Sequence, residues 1–223
     1  MKLSLGKFEE LLSSRRLSIS LIGMSNVGKS YVARALASDP SLGFTPACID
    51  DLIEEKLGPF LKSKGFTGID GVAAWMGQPY DPQYPETQQL YLRFEEDSMN
   101  GVTRPTGRNL VVDTTGSAIY TPQPVLDRLK NETLVVYLEA TDEVKDALFQ
   151  KYISNPKPVI WGDSFSRKNG ETDLDALKRC YPQLLEFRAN RYCALADATI
   201  PHQVLWKASG RQFLEEVKSR LPR

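Results

Sequence analysis

The chain has 223 residues, with 28 Lys and Arg against 28 Asp and Glu, so its formal net charge is zero. That length suits one domain carrying insertions, and the balance excludes a protein built to grip a nucleic-acid backbone, which needs a cationic excess. Three scattered cysteines (Cys48, Cys180, Cys193) and a single histidine, His202, give neither a disulfide framework nor a zinc pattern.

Residues 1–16 read as an N-terminal helical segment, amphipathic over 3–15. Two early acidic residues and the lack of a long apolar run predict no signal peptide. The apolar run 17–22 reads as a buried strand and is followed by a helical pattern at 29–38. A short strand at 46–49 leads into a helix at 51–64. Residues 77–85 contain Pro79, Pro82 and Pro85 and cannot be helix interior, because proline removes an amide donor and clashes with the preceding turn. A helix follows at 86–100. Strands at 109–112, 134–138 and 198–200 then alternate with helices at 122–130, 142–153, 173–194 and 208–221. Segment 155–172, rich in Pro, Gly and polar residues, breaks the rhythm, and a long loop in a compact domain is commonly a lid or binding loop. Five strand-then-helix repeats predict a three-layer α/β/α sandwich with a five-stranded parallel sheet, in one domain over 1–223. No apolar run approaches the roughly 20 residues of a membrane helix. The expectation is a cytoplasmic monomer or homodimer with no membrane or nucleic-acid partner.

The strongest local signal is Gly23-Met24-Ser25-Asn26-Val27-Gly28-Lys29-Ser30. It matches the phosphate-binding loop pattern, with a strand before it and a helix opening at Tyr31 after it. The glycines let successive amides turn toward phosphate oxygens, and the helix N-terminus adds partial positive charge. Lys29 would neutralise the β- and γ-phosphates of ATP, and the Ser30 hydroxyl would hold Mg²⁺. Asp113 ends the strand at 109–112, where an acidic residue suits the same metal; an ordinary turn residue is the alternative. No Asn-Lys-x-Asp base-reading motif is present, which argues against a GTPase. The modest length argues against a motor or helicase and favours a small kinase.

Further segments fall in series. They are Cys48-Ile49-Asp50-Asp51-Leu52-Ile53-Glu54, Thr115-Gly116-Ser117-Ala118-Ile119-Tyr120, the strand 134–139, Lys157-Pro158 and Arg188-Ala189-Asn190-Arg191-Tyr192. In this order, over about 17–221, the chain resembles the shikimate kinase family of nucleoside-monophosphate-kinase-like P-loop kinases. The resemblance implies a substrate-binding subdomain at about 51–100 and a lid at about 155–172. It implies ATP and Mg²⁺ as cofactors and a small-molecule acceptor. Asp50 would meet the acceptor hydroxyl, although Asp also suits a helix N-cap, and both roles are compatible. Thr115, Gly116 and Ser117 would touch the acceptor or simply form a turn. Glu95 would support the acceptor site. Lys157 and Arg188 would close over the phosphates, with Arg191 a weaker candidate on the same helix face. Arg167 and Lys168 are further lid candidates.

The departures from the family pattern cluster on the acceptor side. Cys48 stands where the family carries an Asp, Thr115 replaces a glycine, and Lys157 replaces a lid arginine. The family's acceptor-binding arginine falls on Leu92, with Arg93 one position later as a substitute if the helix is reset. Gln150 occupies the place of an adenine-stacking arginine, beside Lys151, and His202 borders the same region. The resulting expectation is ATP-dependent phosphoryl transfer to a hydroxyl of a small polar metabolite other than shikimate. A retired nucleotide-binding regulator of this fold, and a nucleoside or nucleotide kinase using the aromatic-rich 77–91 region, remain as alternatives.

Overall fold

The computed structural model of the chain describes residues 3–102, 105–154 and 157–222. Asn155 and Pro156, which open the expected lid, lie outside the described residues, as do the first two residues of the N-terminal segment. Helix α1 (Leu5–Ser13) precedes β1 (Ser18–Ile22) and α2 (Lys29–Ser38). Strand β2 (Phe44–Cys48) leads into α3 (Ile49–Lys62), α4 (Gly68–Met76) and α5 (Tyr84–Gly101). Then come β3 (Asn109–Asp113), α6 (Gln123–Glu132), β4 (Leu134–Glu139), α7 (Asp142–Ser154), α8 (Asp173–Leu195), β5 (Ala198–Pro201) and α9 (Gly210–Lys218).

The five strands form one parallel sheet in the order β2-β3-β1-β4-β5. Every residue of β1 and β3 is buried, so both faces of the sheet centre are covered, as the continuous apolar runs require. The core runs along Ile19, Leu21, Val135, Val136 and Leu138, none of them accessible. Asn109 pins the opposite end of the sheet: its Nδ2 donates to the carbonyls of Leu12 (3.2 Å) and Leu42 (2.8 Å), and its Oδ1 accepts from the Leu17 amide (2.9 Å). The parallel sandwich matches the sequence reading. Among the described residues no helix is long and apolar enough to cross a membrane.

Departures from expectation at β2, α4 and α5 have physical reasons. Strand β2 begins at Phe44 rather than Pro46. It is an edge strand paired only with β3, where a residue without an N–H is tolerated. Helix α4 was not expected. Its sequence carries Gly68 and Gly71, which lower helix propensity, and its Thr67 cap makes no side-chain bond. Packing supplies what propensity lacks: Val72, Trp75 and Met76 are buried in the core, and Gly71 lies so close to Phe66 that an added Cβ would stand 3.1 Å from its carbonyl carbon. Helix α5 starts two residues early, at Tyr84, because Pro85 sits in its first turn, where proline is welcome.

Candidate active site

Parallel strands deliver their following loops to one edge. Register places Leu21, Asp113 and Cys48 side by side on β1, β3 and β2. At this edge a cleft of about 630 Å³ opens between the loop after β1, the N-terminus of α3, α5, the loop after β3, the segment after α7, and α8.

The loop after β1 is set by its backbone. Gly23 has φ 143, and a Cβ there would approach the Leu138 carbonyl oxygen to 2.6 Å, so no side chain fits. Ser25, Asn26, Gly28, Lys29, Ser30 and Tyr31 all face the cleft. Val27 is 4% exposed and turns into the core instead. Lys29 is buried, and its Nζ donates to the carbonyls of Gly23 (3.0 Å) and Met24 (2.9 Å). Burial pulls this ammonium below its ordinary value, while the charges of Asp113 and Asp50 oppose that shift. Burial likewise pushes both carboxyls up, and Lys29 draws each back.

Ser30 and the buried Asp113 stand together on the cleft wall, where the Ser30 hydroxyl opposes the rise of the Asp113 carboxyl. A hydroxyl and a carboxylate held together beside a phosphate-binding loop suit Mg²⁺, which takes few protein oxygens and completes its shell with phosphate and water. Ser30 and Asp113 would hold that ion. Cys48, the register neighbour of Asp113, is pushed up to about 12 by burial and remains a neutral thiol. It cannot replace the carboxylate that the resemblance leads one to expect.

On the opposite wall Asp50 lies in the first turn of α3, whose N-cap is Cys48 and not Asp50 as expected, and it accepts a long hydrogen bond from the Tyr91 hydroxyl (3.5 Å to Oδ1). Helix α5 presents Tyr91 and Glu95, four residues apart, inward, and leaves Arg93 exposed and off the cleft wall. The structure therefore does not bring Arg93 to the cleft, and Tyr91 lines that wall instead. Glu95 is fully buried beneath the loop after β3 rather than on the cleft surface. It accepts from the Thr115 hydroxyl and from Ser117 Oγ (2.8 Å). Burial raises it to about 7, against the pull of those two hydroxyls. Thr115 and Ser117 bond each other as well (3.0 Å) and line the cleft with Gly116. A Cβ on Gly116 would lie 3.0 Å from Ser25 Oγ and 3.4 Å from Arg188 Nη1. Its carbonyl accepts from Tyr192 (2.6 Å). Tyr192 thus gains a role that sequence reading did not assign.

Arg188 is 4% exposed, lines the cleft and donates through Nη2 to the Ile160 carbonyl (2.7 Å). Its buried Nε has no hydrogen-bond partner. Arg191 is exposed and donates to Ile119 (3.3 Å) away from the cleft wall. Lys157 reaches the cleft but is paired with Asp70 of α4 (2.9 Å). Arg167 pairs with Asp173 (3.0 Å) and, like Lys168, does not line the cleft. Gln150 is exposed and off the cleft wall, while its neighbour Lys151 lines the cleft.

The expected lid is tied down at its root. Ile160 and Trp161 are each 1% exposed. The Tyr84 hydroxyl donates to the Val159 carbonyl (2.8 Å) and accepts from the Trp161 amide (2.8 Å). Trp161 packs on Tyr152, Phe165 and Tyr181. Tyr84 therefore fastens the segment 159–161 and does not line the cleft. Of the aromatic residues at 75–91, only Tyr91 lines the cleft.

No family model matches the sequence, and no curated protein matches it. Solved structures do. Shikimate kinase from Acinetobacter baumannii, in complex with shikimate, has 22% identity and a TM-score of 0.59, covering 94% of this chain and 93% of that one. Shikimate kinase from Bacteroides thetaiotaomicron has 17% identity and a TM-score of 0.55, covering 91% and 95%. That from Aquifex aeolicus has 15% identity and a TM-score of 0.55, covering 91% and 97%. The chain has the P-loop fold of these kinases along nearly its whole length.

Proposed function

From a fold shared with kinases, we propose that the protein transfers the γ-phosphoryl group of ATP to a hydroxyl of a small polar metabolite other than shikimate. The observation that carries this reading is the convergence of Lys29, Asp50 and Arg188 on one cleft with the Ser30–Asp113 pair. The acceptor hydroxyl oxygen forms the new bond to the γ-phosphorus, and the bond from that phosphorus to the β-phosphate bridging oxygen breaks. Asp50 takes the hydroxyl proton or orients it. Lys29 and Arg188 stabilise charge on the transferring group, and ADP leaves with the former bridging oxygen. Mg²⁺, when bound, neutralises charge on the β- and γ-phosphate oxygens.

The changes from the family pattern support an acceptor other than shikimate. Arg93 faces solvent, Cys48 is a neutral thiol, and Tyr91 stands on the acceptor wall. The nucleoside reading loses its main support, because the aromatic side chains Trp75, Tyr80 and Tyr84 do not line the cleft. The test is incubation with γ-labelled ATP, Mg²⁺ and a pool of small polyols and hydroxy acids. Label transferred to a metabolite, and abolished in Lys29→Ala, is the expected outcome. Nucleotide binding with no transfer to any hydroxyl compound would favour a regulator instead.

A further inference from the structure

The acceptor half of the cleft carries a charge pattern that phosphoryl transfer alone does not call for. Helices α3–α5 contribute Asp50, Asp51, Glu54, Ile69 and Tyr91 to its wall. The Lys and Arg residues of the same stretch are Lys56, Lys62, Lys64 and Arg93. All four are exposed, and none lines the cleft. The loop after β3 adds only hydroxyls and a glycine. Helices α3–α5 therefore present three carboxylates within about one helical turn of α3 and no cation of their own; the one cation that reaches them, Lys157, is neutralised by Asp70 of α4.

The cations on the cleft wall come from other elements. Lys29 and Arg34 belong to α2, Lys151 to α7, Lys157 to the segment after α7 and Arg188 to α8. Lys157 and Arg188 also share a small second cavity with Ser25 and Asn26, which places them over the phosphate-binding loop. Lys157 is already paired with Asp70 (2.9 Å). Arg188 stands beside Ser25 across Gly116, at the phosphate end. An acidic group on the acceptor would face Asp51 and Glu54 with no counter-charge on its own wall, and like charges in a cleft repel strongly because water screens them poorly.

We infer that the acceptor is a polyol without an acidic group, neutral or amine-bearing, whose hydroxyls meet Asp50, Tyr91, Thr115 and Ser117. An amine on that acceptor faces Asp51 and Glu54. The inference rests on the kinase reading above and names its substrate class.

Matched compounds test it: glucitol, gluconate and glucamine as one set, glucose, glucuronate and glucosamine as another. Thermal shifts are measured with a non-hydrolysable ATP analogue and Mg²⁺, and label transfer from γ-labelled ATP is measured in parallel. In at least one set, the neutral or amino member should exceed its acid in kcat/KM by tenfold or more. Glu54→Lys should narrow that ratio tenfold. An acid that binds or reacts as well as its neutral partner overturns the inference. So does silence from every neutral and amino member while the analogue still binds. Failure of the analogue itself to bind is a different result, since it removes the kinase reading and the acceptor class with it.

Discussion

The phosphate wall and the acceptor wall of the cleft both hang from strand ends, yet they hold their groups by different means. On the phosphate side, backbone shape does the positioning: Gly23 sits at a torsion that side chains avoid, and Lys29 folds onto two loop carbonyls. On the acceptor side the positioning passes through side chains, from Glu95 to Thr115 and Ser117 and from Tyr91 to Asp50. A backbone cradle tolerates change in neighbouring residues, because its donors are common to every residue. A side-chain network can be rewired one residue at a time, and here the departures from the family pattern lie chiefly on that wall.

The comparison breaks most visibly at Asp50. Asp50→Asn should lower kcat about 10²–10⁴-fold, the usual worth of a positioned general base, while nucleotide affinity measured by calorimetry stays near the parent value. An equal loss of nucleotide affinity would mean that the two walls are not separable.

Glu95 sharpens it through pH. Its ordinary value is 4.5, and burial raises it to about 7 in the folded chain. Between those pH values the folded state keeps a proton that the unfolded state has released. The associated stability is full below about 4.5 and is lost as pH rises through about 7, to the extent of roughly 3 kcal/mol. Glu95→Gln should flatten that component, seen as a smaller difference in urea midpoint between pH 5 and pH 8 than the parent shows. A variant with the parent's full slope would place the titration elsewhere.

Tyr84 gives the smallest effect. Tyr84→Phe leaves the Val159 carbonyl and the Trp161 amide without their partner, at a cost of about 1–3 kcal/mol. Amide exchange across 157–165 should quicken while exchange in β1 and β4 is unchanged. Uniform acceleration would instead mark a global loss of stability.

Legibility in the sequence divides along the same line. The strand–loop–helix at 17–38 was legible because its pattern is local and its chemistry is carried by the backbone. The parallel sheet followed from continuous apolar runs. Helix α4 escaped because glycines weaken its local signal and its stability comes from burying Trp75 and Met76. Arg93 was offered in place of the family's acceptor-binding arginine by its type and its place, yet the helix phase set by Tyr91 and Glu95 turns it outward. The contact of Tyr84 with residues 75 and 77 positions later in the chain leaves no trace in any short window. Neither does the pairing of Lys157 with Asp70, 87 positions apart.

One arginine joins the parts. Arg188 holds the segment after α7 at Ile160 and lies against Gly116, which stands close to Ser25 on one side and is fastened by Tyr192 on the other. On the proposed kinase reading, nucleotide and acceptor would bind to opposite ends of a single connected body. By thermodynamic reciprocity, whatever factor the acceptor adds to nucleotide affinity, the nucleotide must return to the acceptor. A measured ternary binding cycle reads that shared factor from either side.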